Sequence, residues 1–427
     1  MFHVDHTDGK ARTGTLTTRQ CEVATPAALL YTFRGSPLSL TPDLLDSLGP
    51  EARTLHLDAS QFLESPGPDL LRKFGGGAHG FFALQGCTLI ASPRDPLTYG
   101  IQRWRSGADE GIRVASHSGH QDLPVTRYLD VMSALAPDYF AALSDEVPSV
   151  KVSHRRAAVS VDRTLHWLDQ CLAAKQGSSG VLASIQGSSY SFERQRCASE
   201  AARRPGVAGF SLAGFGTGES CEERAALMEA TTAELPENLP RFLLAGAGTP
   251  EDALDAMAAG VDFIDGSFAV RAAYTGAALL LRECDRGQAS AQAPNQSEQT
   301  QSSALPQYEP VSRHAAQLSS APPWRRGPAD AAAHQELGGK VVLDRNNKRP
   351  PHAASRETSV HRDRHTRAYI HHLLNVNEML AQILLEVHNS QNYLGFFADA
   401  RRAIAAGTFA DHRLAFLERK TLVGAAE

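Results

Sequence analysis

The chain has 427 residues and a formal net charge of -5 at pH 7. Its length suits one barrel of roughly 250 residues with additions. Its mildly acidic net charge argues against a protein that binds nucleic acid alone through a broad basic face. A local basic patch at 151–156 remains compatible with RNA contact. The six cysteines form no close pair and the first 19 residues lack an apolar core, so we expect no disulfide framework, no signal peptide and a soluble intracellular protein.

The predicted elements are weakest in the first 160 residues. The clearest signals there are an apolar segment near Leu29 and a strand-to-helix boundary at 139–145. Leucines at helical spacing over 162–174 then predict a helix with one buried stripe. These patterns give secondary structure but no site.

One unit repeats four times from Val181 to Arg271: a short apolar run ends in a glycine-bearing loop, and a helix follows. The four runs are 181–185, 207–212, 242–244 and 261–264. Short strands alternating with helices predict βα units of a parallel sheet. Ser220 with Glu223, and Thr249 before Pro250, mark two of the helix starts.

The loops after parallel strands converge at one edge, so the residues that end these runs should face one pocket. They are Gln186, Gly214, Gly248 and Asp265. Without any other information, the glycine loop at 214–218 before a capped helix also fits a phosphate-binding barrel enzyme, although the dinucleotide spacing is not met.

Composition divides the chain into three parts. Residues 1–285 carry the βα pattern, and 286–349 are rich in Gln, Ser, Ala and Pro, which predicts a disordered insert because no core can be buried. Residues 350–427 become helical again, with helices expected at 366–387 and 394–406.

Spaced motifs in this order resemble those of tRNA-guanine transglycosylases. They are IQG at 185–187, GFSLAGFGTGES at 209–220, ELP at 234–236, PRFLL at 240–244 and GVDFID at 260–265. The segments TPAALLYT at 25–32 and HTRAYIHHLL at 365–374 are similar to a non-catalytic branch of that family. The resemblance implies an α/β fold, a (β/α)8 TIM barrel with a C-terminal helical appendage, interrupted by the insert.

The resemblance also implies a function. It is that of a non-catalytic accessory subunit, in a heterodimer with a catalytic subunit that exchanges guanine for queuine at the wobble position of tRNAs with a GUN anticodon. It further implies a cytoplasmic protein that can associate peripherally with the mitochondrial outer membrane.

Asp265 falls where catalytic relatives carry a nucleophile. A carboxylate can attack the anomeric carbon of a ribose and form a covalent glycosyl intermediate. However, the following residues 266–271 lack the Pro-Thr-Arg run of catalytic chains. The alternative role for Asp265 is a strand-end carboxylate that caps a neighbouring loop.

The resemblance implies base contacts for Asp145, Gln186 and Gly214, with a strand-end cap or a turn as the alternative in each case. Asp58 falls at an early Asp-Ser-Gly-Gly-Phe-Gln loop of the family, whose glycine pair is absent here, and Ala59 and Ser60 follow Asp58. Cβ atoms at those positions would close the space, which favours a degenerate site.

The family holds a structural zinc with three cysteines and a histidine. His388 matches the histidine, but the cysteine positions fall on Glu357, Ser359 and Arg362. One imidazole cannot make the closed four-ligand site that a structural zinc requires. Either the site is lost, or the sequence through about 346–364 carries a reading-frame or splice error.

Two further functions stay open. The chain could be a self-sufficient transglycosylase that uses Asp265 as nucleophile while Asp145 and Gln186 read the base. It could instead be a non-enzymatic scaffold or queuine-binding protein. Base exchange without a partner would favour the first, and unchanged turnover by the partner would favour the second.

Overall fold

The computed structural model describes residues 1–99, 110–116, 118–148, 152–174, 177–281, 365 and 367–424. The strands in this part of the chain are β1 Phe2–Asp8, β2 Ala11–Thr17, β3 Glu22–Thr25, β4 Ala27–Tyr31, β5 Thr54–Asp58, β6 Thr88–Ser92, β7 Gly111–Ser116, β8 Gly119–Pro124, β9 Tyr139–Ala141, β10 Gly180–Ile185, β11 Val207–Leu212, β12 Arg241–Leu243 and β13 Phe263–Asp265. The helices are α1 Pro42–Ser47, α2 Pro68–Phe74, α3 Gly77–Phe81, α4 Val125–Leu135, α5 His154–Ala173, α6 Ser191–Ala202, α7 Cys221–Thr232, α8 Pro250–Ala258, α9 Ser267–Tyr274, α10 Arg367–Asn375, α11 Met379–Ala405 and α12 Phe409–Gly424. Short 3-10 helices lie at Pro50–Arg53 and Ala59–Phe62.

Eight parallel strands close into a barrel, in the order β4, β5, β6, β9, β10, β11, β12 and β13, with β13 pairing back to β4. Every residue of β5 and β10 is buried, as expected for strands that are covered on both faces. The (β/α)8 barrel predicted from the repeat and the resemblance is confirmed.

The predicted helix starts are also confirmed. At the start of α7 the Ser220 hydroxyl accepts from the amide of Glu223, and the Glu223 carboxylate accepts from the amide of Ser220. Thr249 and Asp252 form the same reciprocal pair at the start of α8. These caps satisfy amides that have no partner within the helix.

An antiparallel sheet of β1, β2 and β3 precedes the barrel, and no pattern in the sequence predicts it. Its side chains Phe2, Leu16 and Val23 belong to the same buried cluster as Leu29 and Phe242 of the barrel. The sheet therefore extends the apolar core of the barrel rather than forming a separate domain.

The chain divides into two compact units. The first consists of Met1–Leu38, Glu51–Phe268 and Ala400–Phe409, and it contains the barrel strands. The second consists of Ser39–Pro50, Ala269–Asp399 and Ala410–Glu427. The predicted insert at 286–349 lies outside the described residues. None of the described helices is both long and apolar enough to cross a membrane.

The C-terminal helices are present, but α11 continues through 388–393, where the sequence analysis expected a break. Asn389 has a modest helix propensity, and its side chain is fully buried. Its carbonyl oxygen accepts from the amide of Leu279 at 2.8 Å, and its amide nitrogen donates to the carbonyl of Ala277 at 2.8 Å. These contacts within the second unit override the local preference.

Candidate functional site

The residues singled out from the sequence lie at one rim of the barrel. All eight strands run in the same direction, so their carboxyl ends share an edge. Asp58 and Asp265 end β5 and β13, Gln186 follows β10, and Gly214 lies two residues after β11. These four residues each form hydrogen bonds within the chain.

Asp265 is 2% exposed and caps the start of α9. Its carboxylate accepts from the amide of Ser267 at 2.9 Å and from the hydroxyl of the same residue at 2.7 Å. This geometry is typical of an aspartate that satisfies a helix start. It corresponds to the capping alternative.

Asp58 repeats this arrangement at the end of β5. Its carboxylate accepts from the amide of Ser60 at 2.9 Å and from the Ser60 hydroxyl at 2.5 Å. Ala59, between these two residues, is fully buried. The shared Asp-x-Ser pattern at two strand ends is a sequence signal for the paired caps.

Another carboxylate, that of Asp95, lies after β6 and close to Asp58, and no sequence pattern pointed to it. It accepts from the Tyr31 hydroxyl at 3.2 Å and from the amide of Leu97 at 2.9 Å. The side-chain amide of Gln61 donates to the same Tyr31 oxygen at 3.2 Å. Burial raises the pKa of Asp95 to about 6, and burial together with the charge of Asp95 raises the pKa of Asp58 to about 8.

These shifts predict a pH-dependent stability. The folded protein keeps a proton on Asp58 up to about pH 8, whereas the unfolded chain releases it near pH 3.8. The folded state therefore binds more protons, and the free energy of unfolding falls as pH rises through that window. Below pH 6.5 His56 acts in the opposite direction, because burial lowers its pKa to about 4.

Between pH 6.5 and 8 we expect the free energy of unfolding to fall by about 1–2 kcal/mol, which Asp58→Asn should abolish. Urea denaturation at half-unit steps of pH measures the slope. Asp69→Asn is the matched control, because the Asp69 side chain is exposed and the slope should stay as in the natural chain. An unchanged slope in Asp58→Asn would contradict the assignment.

The Asp145 carboxylate forms ion pairs with two arginines of α5. Its carboxylate accepts two hydrogen bonds from the guanidinium of Arg156, each of 2.8 Å, and one from Arg163 at 3.1 Å. Asp145 is 2% exposed. Two arginines thus neutralise a buried carboxylate and fix its direction. Lys151, in the predicted basic patch, lies outside the described residues.

Gln186 is also engaged. Its amide nitrogen donates to the carbonyl of Asp145 at 2.7 Å and to the Ser160 hydroxyl at 3.1 Å, and its oxygen accepts from the amide of Gly187 at 2.9 Å. A Cβ atom on Gly214 would lie 2.8 Å from the Gln186 oxygen. Close approach to Gln186, together with a φ of 71°, therefore requires glycine at position 214.

Arg194 organises the loops after β10 and β11, and it was missed from the sequence. Its guanidinium donates to the carbonyls of Ser188 at 2.7 Å, Ala213 at 3.1 Å and Gly214 at 3.1 Å. It also lies 3.9 Å from the ring centre of Phe215. Burial lowers the pKa of Arg194 to about 10, so the group stays charged at neutral pH.

A sequence signal for Arg194 existed. It shares a buried face of α6 with Cys197, Ala198 and Ala201. An arginine on such a face must find partners inside the protein.

Tyr99 and Glu146 complete the rim. The Tyr99 hydroxyl donates to the carboxylate of Glu146 at 2.5 Å and accepts from the amide of Gly214 at 3.0 Å. Ser144 donates to the other Glu146 oxygen at 2.7 Å. A cavity of about 30 Å³ lies beside these groups. Tyr99 and Gly214 are 115 residues apart, so no local pattern predicts their contact.

The predicted metal site involves the second unit. The His388 side chain donates from Nε2 to the carbonyl of Leu279 at 2.9 Å. Glu357, Ser359 and Arg362 provide no thiolate and lie outside the described residues. Among the described residues, no three His, Cys, Asp or Glu side chains are grouped to hold a metal. The donor set around His388 in the described part of the chain therefore does not fit a structural zinc.

The sequence profile described as "Queuine tRNA-ribosyltransferase" matches residues 7–421. The chain belongs to the queuine tRNA-ribosyltransferase family. Membership confirms the resemblance to tRNA-guanine transglycosylases and extends it over nearly the whole chain.

Three members of the queuine tRNA-ribosyltransferase family illustrate the similarity. "Queuine tRNA-ribosyltransferase accessory subunit 2" of Xenopus tropicalis is 32% identical over 403 residues, covering 92% of each chain. The protein of the same name from Homo sapiens is 30% identical over 397 residues, covering 90% of each. A "Queuine tRNA-ribosyltransferase" of Thermus thermophilus is 29% identical over 425 residues, covering 98% of this chain and 94% of its own.

Proposed function

We propose that this chain is the non-catalytic accessory subunit of a queuine tRNA-ribosyltransferase. It would form a heterodimer with a catalytic subunit that exchanges guanine for queuine at the wobble position of tRNAs with a GUN anticodon. The names of the frog and human relatives support the accessory role. The acidic net charge supports a division of labour in which the partner makes most phosphate contacts.

The main support for this proposal is that the Asp265 carboxylate is buried and already hydrogen-bonded within the chain. A nucleophile must reach the anomeric carbon of its substrate. The Asp265 carboxylate is almost completely buried and already accepts two hydrogen bonds from Ser267. The groups that would read a base are committed in the same way, Asp145 to Arg156 and Gln186 to Ser160.

The C-terminal helical region is the surface that we propose for the catalytic subunit. Val376, Met379 and Leu414 are each more than half exposed there. Exposed apolar side chains on a helical surface suit a protein partner.

The proposed location is the cytoplasm, with peripheral association at the mitochondrial outer membrane, and fractionation of cells that express the tagged chain tests it. Because the residues do not fit zinc, no step of the proposal uses a metal.

The test is incorporation of labelled guanine into tRNA with a GUN anticodon. We expect exchange when this chain and the catalytic subunit are mixed, and no exchange with this chain alone. Asp265→Asn in this chain should leave the rate of the mixture unchanged, because an amide oxygen still accepts from Ser267. Circular dichroism verifies that the variant is folded.

Two results would contradict the proposal. Exchange by this chain alone, abolished by Asp265→Asn, would make it a self-sufficient transglycosylase. If the catalytic subunit turns over equally fast with and without this chain, the chain is a scaffold or a queuine-binding protein.

A further inference from the structure

The phenol of Tyr99 lines a cavity at the barrel rim that we call the Tyr99 pocket, together with Ser92, Ser144, Glu146 and Leu212. Tyr99 is 4% exposed. Its oxygen accepts a hydrogen bond from the amide of Gly214, and its O–H group donates a hydrogen bond to the carboxylate of Glu146. One oxygen thus satisfies a backbone donor and a carboxylate acceptor that face the same point.

The pocket is otherwise nearly filled. The remaining cavity of about 30 Å³ would hold about two water molecules. A cavity of that volume is smaller than the ring-sized cavities that hold benzene in proteins. The chain therefore supplies the ring and the polar oxygen of its own pocket.

The donor and the acceptor are fixed in place. Arg194 donates to the carbonyl of Gly214 at 3.1 Å, which holds that peptide, and Ser144 donates to Glu146 at 2.7 Å, which holds the carboxylate. Groups that are oriented before binding recognise a matching ligand at little entropic cost. A cyclic amide matches them, since its carbonyl can accept from Gly214 while the adjacent N–H donates to Glu146.

We propose that the Tyr99 side chain is a built-in ligand that closes this pocket to cyclic amides, a class that includes the oxopurine bases. This inference rests on the proposed function, because an accessory chain has no need to admit a base. It goes further by naming the residue that excludes the ligand. Removing the ring should turn a closed pocket into a binding site, as ring-sized cavities in proteins bind flat six-membered molecules.

The experiment measures binding of 2-pyridone, a single-ring cyclic amide, by calorimetry and by thermal shift. The natural chain should not bind it, and Tyr99→Ala should bind it and gain thermal stability. The control ligand 1-methyl-2-pyridone lacks the N–H, so Tyr99→Ala should bind it at least about tenfold more weakly. Tyr99→Phe keeps the ring and should bind neither compound.

Equal binding of 2-pyridone by the natural chain and Tyr99→Ala would overturn the proposal, as would a folded Tyr99→Ala that binds neither compound. If Tyr99→Ala does not fold, hydrogen exchange decides. The Gly214 amide should then exchange at least about tenfold faster in Tyr99→Phe than in the natural chain, and equal rates would overturn the proposal. These measurements use this chain alone, so their failure is distinct from a failure of guanine exchange in the mixture.

Discussion

Replacing Arg12 by alanine is expected to lower the free energy of unfolding by about 3–5 kcal/mol. Arg12 lies on β2, and its guanidinium donates to the two carboxylate oxygens of Asp262 at 2.9 and 2.6 Å. It also donates to the carbonyls of Glu237 at 2.7 Å and Leu239 at 3.0 Å. The Asp262 side chain is fully buried, so the variant would remove the guanidinium that pairs with this carboxylate in the interior.

Urea denaturation of the full chain measures this loss. The matched control is Lys10→Ala, which removes the nearby ion pair of Lys10 with Glu229, where both side chains are about half exposed. That pair should contribute little to the free energy of unfolding, since solvent screens exposed charges. A loss in Arg12→Ala no larger than that in Lys10→Ala would contradict the assigned role of the buried pair.

Replacing Arg194 by methionine is expected to lower the free energy of unfolding by about 2–5 kcal/mol. Methionine keeps most of the volume but removes the donors to the carbonyls of Ser188, Ala213 and Gly214. Each buried carbonyl that loses its donor is left without a hydrogen bond, and its desolvation then destabilises the folded state. The contact with the Phe215 ring is lost as well.

Arg203→Met is the matched control, because Arg203 is exposed and follows the last residue of the same helix α6. Its effect should stay within about 0.5 kcal/mol. Hydrogen exchange at 213–216 should also quicken in Arg194→Met, since these loops lose their shared anchor. An Arg194→Met variant as stable as Arg203→Met would show that other contacts fix the loops.

Local patterns predicted the barrel well because strands and helix caps depend on neighbouring residues. The run 207–212 is β11, and Ser220 with Glu223 is a capping box. The N-terminal sheet was missed because β1 is mostly polar and partly exposed, which hides the apolar alternation. The continuous helix α11 was missed because the buried partners of Asn389 lie about 110 residues away.

Residue order and spacing were enough to identify the family, the barrel and the strand ends at which Gln186, Gly214 and Asp265 stand. The roles of these groups depend on contacts between distant parts of the chain. The amide of Gly214 meets Tyr99 across 115 residues, and the pKa of Asp58 is raised first by its own burial and then by the charge of Asp95. The physical reason is that spacing along a chain fixes hydrogen bonds within a turn, whereas desolvation and pairing of charges depend on all elements packed around a group.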